Sequence, residues 1–581
     1  MRTRIVSIAA LALLVTASAA QQGVTTLVSV HSSGALSDNH SYQAAISADG
    51  NTVAFYSFAT NLVPGDTNGV ADVFVHDLQT GATTRVSVDS SGVQGNGACQ
   101  DFAISGDGRY VVFDSDATNL VANDANGVRD VFLHDRQTGT TERVSINAAG
   151  IEGNQFSGNG VSVSNDGRFV AFSSGATNLV PGDTNGTSDV FIRDRTLSTT
   201  ILASVDSAGA QGGLWSYYPS LSGNGRVCAF QSASSFDPAD TNGFDDVYVR
   251  DLTTGITSIA SASSTGAIGD SYSGLPAVSG NGRFVAFESR ATTLVPNDTN
   301  QQYDIFVRDL QSGTTTRVNV GASGAQATGG AQGFSSMSRR PAISVDGRYV
   351  AYESGAINLA PGDTNGMPDA FLCDRFAHTT TRVSVSNSGT QITNTNAGVA
   401  TVSADGRRVV FFTQFPLDSN DTNGIVDIYL REITCFPPAT YCEAGLSTNF
   451  CSPAMSASGV PSASATSGFT LTCSGLDAQK TALIFYGASG RLAQPWGPVG
   501  GSLMCVAHPV QRMTTSNSGG TLGWCDGSVS IDWLAFLATH ANAIGNPLAA
   551  GAIFDAQCWY RDPPSPKSTN LSNAIEFDLC P

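Results

Sequence analysis

The stretch SADGNTVAFYS, residues 47–57, places a Ser-x-Asp-Gly word before an apolar run that ends in serine. Asp-Gly or Asn-Gly ahead of such a run is a strong hairpin signal, because both turn residues accept positive φ. The word returns as Ser105-Gly106-Asp107-Gly108, Ser164-Asn165-Asp166-Gly167, Ser222-Gly223-Asn224-Gly225, Ser279-Gly280-Asn281-Gly282, Ser344-Val345-Asp346-Gly347 and Ser403-Ala404-Asp405-Gly406. The spacing is 57 to 65 residues. Self-similarity at a nearly fixed period marks a repeat architecture.

Each unit reads in the same order. Residues 43–47 form a strand into the hairpin and 52–57 (TVAFYS) a second. Residues 72–77 (DVFVHD) form a third, and 83–88 (TTRVSV) a fourth after a Gln-Thr-Gly turn. Four antiparallel strands in each of seven units predict an all-β fold, a seven-bladed β-propeller over residues 21–434. The last unit stops after its third strand, 427–432, while residues 25–30 (TTLVSV) repeat the fourth-strand word at the other end of the chain. The N-terminal strand is therefore expected to complete the last blade and leave no free edge. The repeat Ser-x-Asp-Gly-Arg-Tyr-Val-x-Phe-x-Ser resembles the WD40-like (PD40) repeat of TolB-type propellers, over roughly residues 23–434. That resemblance implies the propeller fold. Nothing here resembles the extra α/β domain of TolB, so TolB's role in envelope transport is not implied.

Between second and third strands each unit carries an Asp-x-Asn-Gly-x-x-Asp loop. Its acidic and amide positions are Asp66, Asn68 and Asp72; Asp124, Asn126 and Asp130; Asp183, Asn185 and Asp189; Asp240, Asn242 and Asp246; Asp363, Asn365 and Asp369; and Asp421, Asn423 and Asp427. The fifth unit has Asp298, Asn300 and Asp304 but Gln301 in place of glycine, and is expected to hold metal least well. Alternating oxygen side chains, a glycine bend and a later carboxylate suit calcium. The pattern resembles the back half of integrin-type and EF-hand calcium loops. It lacks their first ligand in six units, where Pro64, Ala122, Pro181, Pro238, Pro296 and Pro361 stand two residues earlier; Ser419 of the seventh unit alone offers an oxygen there. Any calcium site would then be weak, in the ~0.1–1 mM range. The other reading is a structural turn, with Asp and Asn bonding backbone two residues on and the last Asp capping loop amides. Catalysis is disfavoured, because chemistry needs groups in distinct environments and seven equivalent loops give seven equivalent ones.

The links between units share a face with these loops. Trp215, Tyr217, Tyr218 and Tyr272 there are candidate stacking platforms for a glycan, and Arg339 and Arg340 for an anion. His76 and His134 stand where other units have Arg193, Arg250 and Arg308, and are expected at an exposed or flanking position. An acidic residue closes every third strand (Asp77, Asp135, Asp194, Asp251, Asp309, Asp374, Glu432) and is expected to bond a neighbouring turn. The Ser-x-Asp-Gly word lacks the intervening residue of a sialidase Asp box, the histidines do not cluster as in propeller lyases, and no Gly-x-Ser-x-Gly elbow occurs.

Arg2 and Arg4, an apolar run over 5–15 and small residues at 17–20 predict a secretory signal peptide over 1–20. No later stretch is long and apolar enough to span a bilayer; 531–554 comes closest and is interrupted by polar residues. A net charge of −19 argues against nucleic acid and anionic membranes, and favours cations or neutral polymers as partners. Eight of eleven cysteines lie in 435–581, which predicts a disulfide-rich β-sandwich-like domain with four bridges among 105 possible connectivities. The expected protein is an exported, non-enzymatic binding or scaffold propeller at the cell surface or outside the cell, periplasm included. Its ligand would be a protein or glycan on the loop face; the C-terminal domain would serve cell-envelope attachment, sorting or ligand binding, and no motif chooses among them. The alternative is a propeller enzyme acting on polysaccharide or peptide in the central channel.

Overall fold

The computed structural model describes residues 23–321, 324–329, 338–434, 436, 438–442, 444–447, 449–496, 502–522, 524–562 and 569–580. The expected leader over 1–20, most of the link over 330–337, and Cys435 lie outside these residues. The chain divides into two compact units, Val24–Glu432 and a second containing Ile433–Pro581.

Among the described residues the first unit consists of seven four-stranded sheets, an arrangement consistent with a β-propeller. Sheet 1 contains Ser41–Ile46, Thr52–Ser57, Asp72–Asp77 and Thr83–Arg85, with consecutive strands antiparallel. Sheet 2 runs from Cys99–Ile104 to Thr140–Arg143, sheet 3 from Ser157–Val163 to Thr199–Leu202, and sheet 4 from Ser216–Leu221 to Ile256–Ile259. Sheet 5 runs from Ser273–Val278 to Thr314–Arg317, and sheet 6 from Ser338–Ile343 to Thr379–Arg382. Sheet 7 takes Ala397–Val402, Arg408–Thr413 and Asp427–Ile433 from the end of the unit, and Gly23–Leu27 from its beginning.

Each hairpin word closes in the same way. The serine hydroxyl donates to the carboxylate or amide oxygen two residues on, and that oxygen also accepts the N–H two residues further. The second and third strands are buried on both faces and carry a stacked aromatic pair in every sheet. The series runs from Phe55 on Phe74 (5.9 Å) to Phe411 on Tyr429 (6.1 Å). Such pairs add about 0.5–1.5 kcal/mol beyond the area they bury. Apolar clusters lie between neighbouring sheets: Ala54, Val73 and Val75 of sheet 1 pack with Val111, Phe113 and Phe132 of sheet 2. Val410, Ile428 and Leu430 of sheet 7, with Val28, pack against Val53, Phe55 and Phe74 of sheet 1.

A threonine of each fourth strand donates its hydroxyl to the link that precedes it. Thr141 bonds Val88 O, Thr257 bonds Val205 O and Thr315 bonds Ala262 O. The series crosses the chain ends without a break, since Thr25 bonds Val385 O and Thr83 bonds Val30 O. Ala404 N also donates to Ala48 O between the hairpins of sheets 7 and 1. Two expectations need correction. The fourth strand in sheet 1 ends at Arg85 rather than Val88, because the chain turns there into its link. The closing N-terminal strand is Gly23–Leu27 rather than 25–30, for the same reason. Each link begins with a tight turn closed by a β-bridge, Val30 to Leu36, Val88 to Gln94 and so on through Val385 to Gln391.

The second unit has a six-stranded sheet, a three-stranded sheet (Ala454–Ser458, Thr470–Leu476, Gly527–Asp532) and a small two-stranded sheet. Leu471, Cys473 and Val529 of the three-stranded sheet share one core with Ile484, Tyr486, Ala556 and Phe577 of the six-stranded sheet. One helix, Trp533–Thr539, buries Trp533, Leu534, Phe536 and Leu537 and is capped by Asp532. Cys442 pairs with Cys505 and Cys451 with Cys525, and Cys580 is also disulfide-bonded. The expected fourth bridge is absent: Cys473 and Cys558 are free thiols, fully buried in the shared core. Among the described residues no helix is long and apolar enough to cross a membrane.

Candidate functional site

The Asp-x-Asn-Gly-x-x-Asp loops are first of all clamps. Asp72 is fully buried; its Oδ1 accepts the Ser87 hydroxyl and its Oδ2 the Asn68 amide at 2.8 Å. Asn68 also donates to Gly95 O in the next link and accepts the Val70 N–H. Asp130, Asp189, Asp246, Asp369 and Asp427 repeat this with Ser145, Ser204, Ser261, Ser384 and Ser29, and Asp304 uses Asn319. The last aspartate therefore accepts side-chain donors rather than capping loop amides.

The first aspartate meets a residue that the loop sequence does not show. In sheets 1, 2, 5 and 6 a fourth-strand arginine inserts its Nη1 between the two carboxylates. Arg85 lies 3.3 Å from Asp66 Oδ1 and 3.6 Å from Asp72 Oδ2. Arg143 lies 3.3 Å from Asp124, 3.0 Å from Asp130 and 2.7 Å from Glu152. Arg317 serves Asp298 and Asp304, and Arg382 serves Asp363 and Asp369. Asp124, Asp130 and Glu152 bring oxygens within 4.8 Å of one another, a spacing fit for a metal, and Arg143 reaches all three. Sheets 3, 4 and 7 have Leu202, Ile259 and Leu27 at the arginine position.

His76 and His134 are flanking, but buried rather than exposed. Each ring Nδ1 meets a fourth-strand threonine hydroxyl at 2.9 Å, and burial lowers the pKa of both. Arg193, Arg250 and Arg308 bond the equivalent threonines. The aspartate closing the third strand in sheets 1 to 6 does bond the following turn, and in sheets 2 to 6 it also takes the arginine that follows the hairpin glycine, as in Arg109 on Asp135 at 2.7 Å; in sheet 7 Glu432 takes Arg408, one residue further on.

Residues that differ from sheet to sheet gather at the loop end. In the word that closes the second strand, Phe-x-Ser in five sheets, Tyr-x-Ser in sheet 6 and Phe-x-Thr in sheet 7, the middle position is Tyr56, Asp114, Ser173, Gln231, Glu288, Glu353 and Phe412 in turn. Beside it the first strand bulges, and Gln43, Asn159, Tyr218, Leu275 and Arg340 adopt positive φ at equivalent places. A bulge re-aims side chains, and here it brings residues of different sheets together. Gly160 N of sheet 3 donates to Asp101 Oδ2 of sheet 2 at 2.8 Å. Arg340 N of sheet 6 donates to Glu288 Oε2 of sheet 5 at 3.1 Å. The Tyr272 hydroxyl and Leu275 N of sheet 5 both donate to Gln231 of sheet 4. The charges of Asp101 and Arg340 reach both Tyr56 and Tyr218.

Two carboxylates here are set apart by burial. Asp114 is fully buried, and desolvation reinforced by the Asp101 charge raises its pKa to about 7 against the N–H bonds of Gln100 and Asp101 and the pull of Arg129. Glu288 is 1 % exposed; burial and Glu353 raise it to about 7, opposed by Arg339 and by Arg340 N. Burial raises Glu353 as well. Aromatic side chains lie at the same end. Tyr218 is 41 % exposed and neighbours Tyr217, which lies 5.1 Å from Trp215. Tyr303 packs edge-on to Tyr272 and lies beneath Arg339. Gly158 needs its missing side chain, since a Cβ would stand 2.5 Å from Asp114 Oδ2. A cleft of ≈ 270 Å³ between sheets 3 and 4 lies at the opposite, hairpin end, against Asn224 and Arg226.

The candidates Trp215, Tyr217, Tyr218, Tyr272, Arg339 and Arg340 thus fall at one end, joined by Asp101, Asp114, Gln231, Glu288, Glu353 and Tyr303, which the motifs did not single out. The signal for Asp114, Gln231, Glu288 and Glu353 is divergence at one position of a nearly constant word; Asp101 and Tyr303 lie outside it and carry no such signal.

No protein-family model matches the sequence, and no curated protein matches it. Similar solved structures include a TolB from Agrobacterium tumefaciens (14% identity, TM-score 0.31, covering 48% of this chain and 80% of that one). Prolyl endopeptidases (8%, TM-score 0.40, 75% and 54%) and the acylaminoacyl peptidase of Pyrococcus horikoshii (9%, TM-score 0.40, 76% and 59%) are also similar. This chain spans little more than half the length of either peptidase, and likenesses this distant carry no activity across.

Proposed function

We propose that the chain is an exported seven-bladed propeller, closed by its N-terminal strand, that acts as a binding or scaffold protein and takes a glycan chain at the loop end. One observation carries this reading. Where the repeats diverge, they diverge together, toward tyrosines and carboxylates at a single end. Aromatic faces accept the apolar faces of sugar rings, carboxylates and amides accept hydroxyl protons, and a net charge of −19 suits a neutral polymer. The disulfides of the C-terminal unit support passage to an oxidising compartment. A glycan array probed with the full chain tests this. Retention of one oligosaccharide class without its turnover is expected; no retention of any glycan would contradict it.

A second reading rests on Asp114 and Glu288. Carboxyl groups poised near pH 7 are what a general acid requires, so the same end would suit hydrolysis of a polysaccharide or peptide. Turnover that disappears in Glu288→Gln would favour this reading over the first.

A further inference from the structure

The seven loops are not equivalent, and the molecule contains its own control. In sheets 1, 2, 5 and 6 the Oδ1 of the first aspartate faces a guanidinium Nη1, at 3.3 Å, 3.3 Å, 3.2 Å and 3.4 Å. Sheets 3 and 7 keep both aspartates but have Leu202 and Leu27 at the arginine position. Asp183 and Asp421 are 7 % and 6 % exposed, and in each the equivalent Oδ1 is buried with no hydrogen-bond partner. Asp189 and Asp427 beside them are fully buried. The Asp, Asn and distal Asp of the loop motif are the same in all these sheets; the difference lies on the fourth strand.

We propose that calcium fills, in sheets 3 and 7, the place a guanidinium fills in sheets 1, 2, 5 and 6, bound by Asp183 and Asp189 in one and by Asp421 and Asp427 in the other. Two buried carboxylates facing one spot without a cation are costly, and four sheets of the same fold meet that cost with a built-in cation. In sheet 3 the Thr187 hydroxyl is a further buried oxygen without a partner in the same loop. The Gln211 amide faces Asp183 closely enough to favour its ionised form, yet its Nε2 closes no hydrogen bond. In sheet 7 the Tyr429 hydroxyl satisfies Asp421 Oδ2 and leaves Oδ1 open. Sheet 4 also lacks the arginine and has the equivalent tyrosine bond to Oδ2, but Asp240 is partly exposed and its Oδ1 already accepts Asn242 N, so it is not a site. Hard oxygen donors in a loop suit calcium, with water completing its ~6–8 ligands; magnesium would require a stricter octahedron.

Equilibrium dialysis of the full chain with calcium, paired with thermal melting, tests the assignment. Two ions per chain are expected, with a rise in Tm at millimolar calcium that equal magnesium does not reproduce. Leu27→Arg with Leu202→Arg should raise Tm in chelator and abolish binding. Asp183→Asn with Asp421→Asn should abolish binding while the fold persists. Absence of binding, six or more ions, or binding retained in the leucine-to-arginine variant would each overturn the proposal. So would a Tm indifferent to calcium that climbs as pH falls toward 6, since protons would then neutralise the pair. Glycan retention does not enter any of these outcomes, so the two proposals fail separately.

Discussion

At the residue scale, burial decides how the charged groups behave. Glu288 keeps its proton up to about pH 7 in the folded chain, whereas its unfolded counterpart ionises near the ordinary value of 4.5. The group's stabilising share is therefore full below about pH 4.5 and is lost as pH rises through 7, a penalty of at most about 3 kcal/mol above that. Glu288→Gln should accordingly raise Tm above wild type at pH 8, and the gain should vanish toward pH 4.5. A pH series of melts checks this; equal gains at both ends would place the effect outside the titration. Arg143 works in the opposite sense. It holds Asp124, Asp130 and Glu152 together with 9 % of its side chain exposed. Arg143→Leu strands those carboxylates and should cost about 3–5 kcal/mol in chemical denaturation.

At the element scale, the legible parts were those written seven times. The hairpin word fixes a turn through one hydroxyl and one carboxylate, and the apolar run after it is buried on both faces. Thr52–Ser57 and Asp72–Asp77 are therefore readable to the residue. The fourth strand was misjudged in length, because Val86 and Val88 stay buried after the chain has left the sheet, and burial alone reads as strand. The loop motif was legible as a motif but not in its meaning. Whether its carboxylates face an arginine depends on a residue that arrives from the fourth strand through the fold. In the C-terminal unit, without repeats to compare, Thr569–Asp578 went unread because Asn570, Ser572 and Asn573 mask its alternation. There the disulfides supply what pattern does not. Cys451–Cys525 closes 74 residues, and replacing both cysteines with serine should cost that unit about 4 kcal/mol in the loop-entropy account. A separate, earlier melting transition for the variant would show it.

At the scale of the whole molecule, a repeated frame leaves function to the positions that break the repeat. The frame depends on its last bond: Gly23–Leu27 lies beside Asp427–Ile433, and Thr25 continues the threonine series across the chain ends. Removing residues 23–30 should expose an edge strand and lower Tm by well over 10 °C, with aggregation, whereas trimming before residue 23 should not. Within that frame, the loop end gathers Tyr217, Tyr218, Tyr272, Glu288, Arg339 and Arg340, and the hairpin end has a cleft by Arg226. The most direct measurement is calorimetric titration of the best-retained oligosaccharide into three proteins: wild type, a Tyr217→Ala/Tyr218→Ala variant of the loop end, and an Ile201→Ala/Arg226→Ala variant of the hairpin end. The account predicts at least about tenfold weaker binding for the loop-end variant alone, the cost of truncating a central aromatic contact. Unchanged affinity in that variant, or a loss confined to the hairpin end, would contradict it.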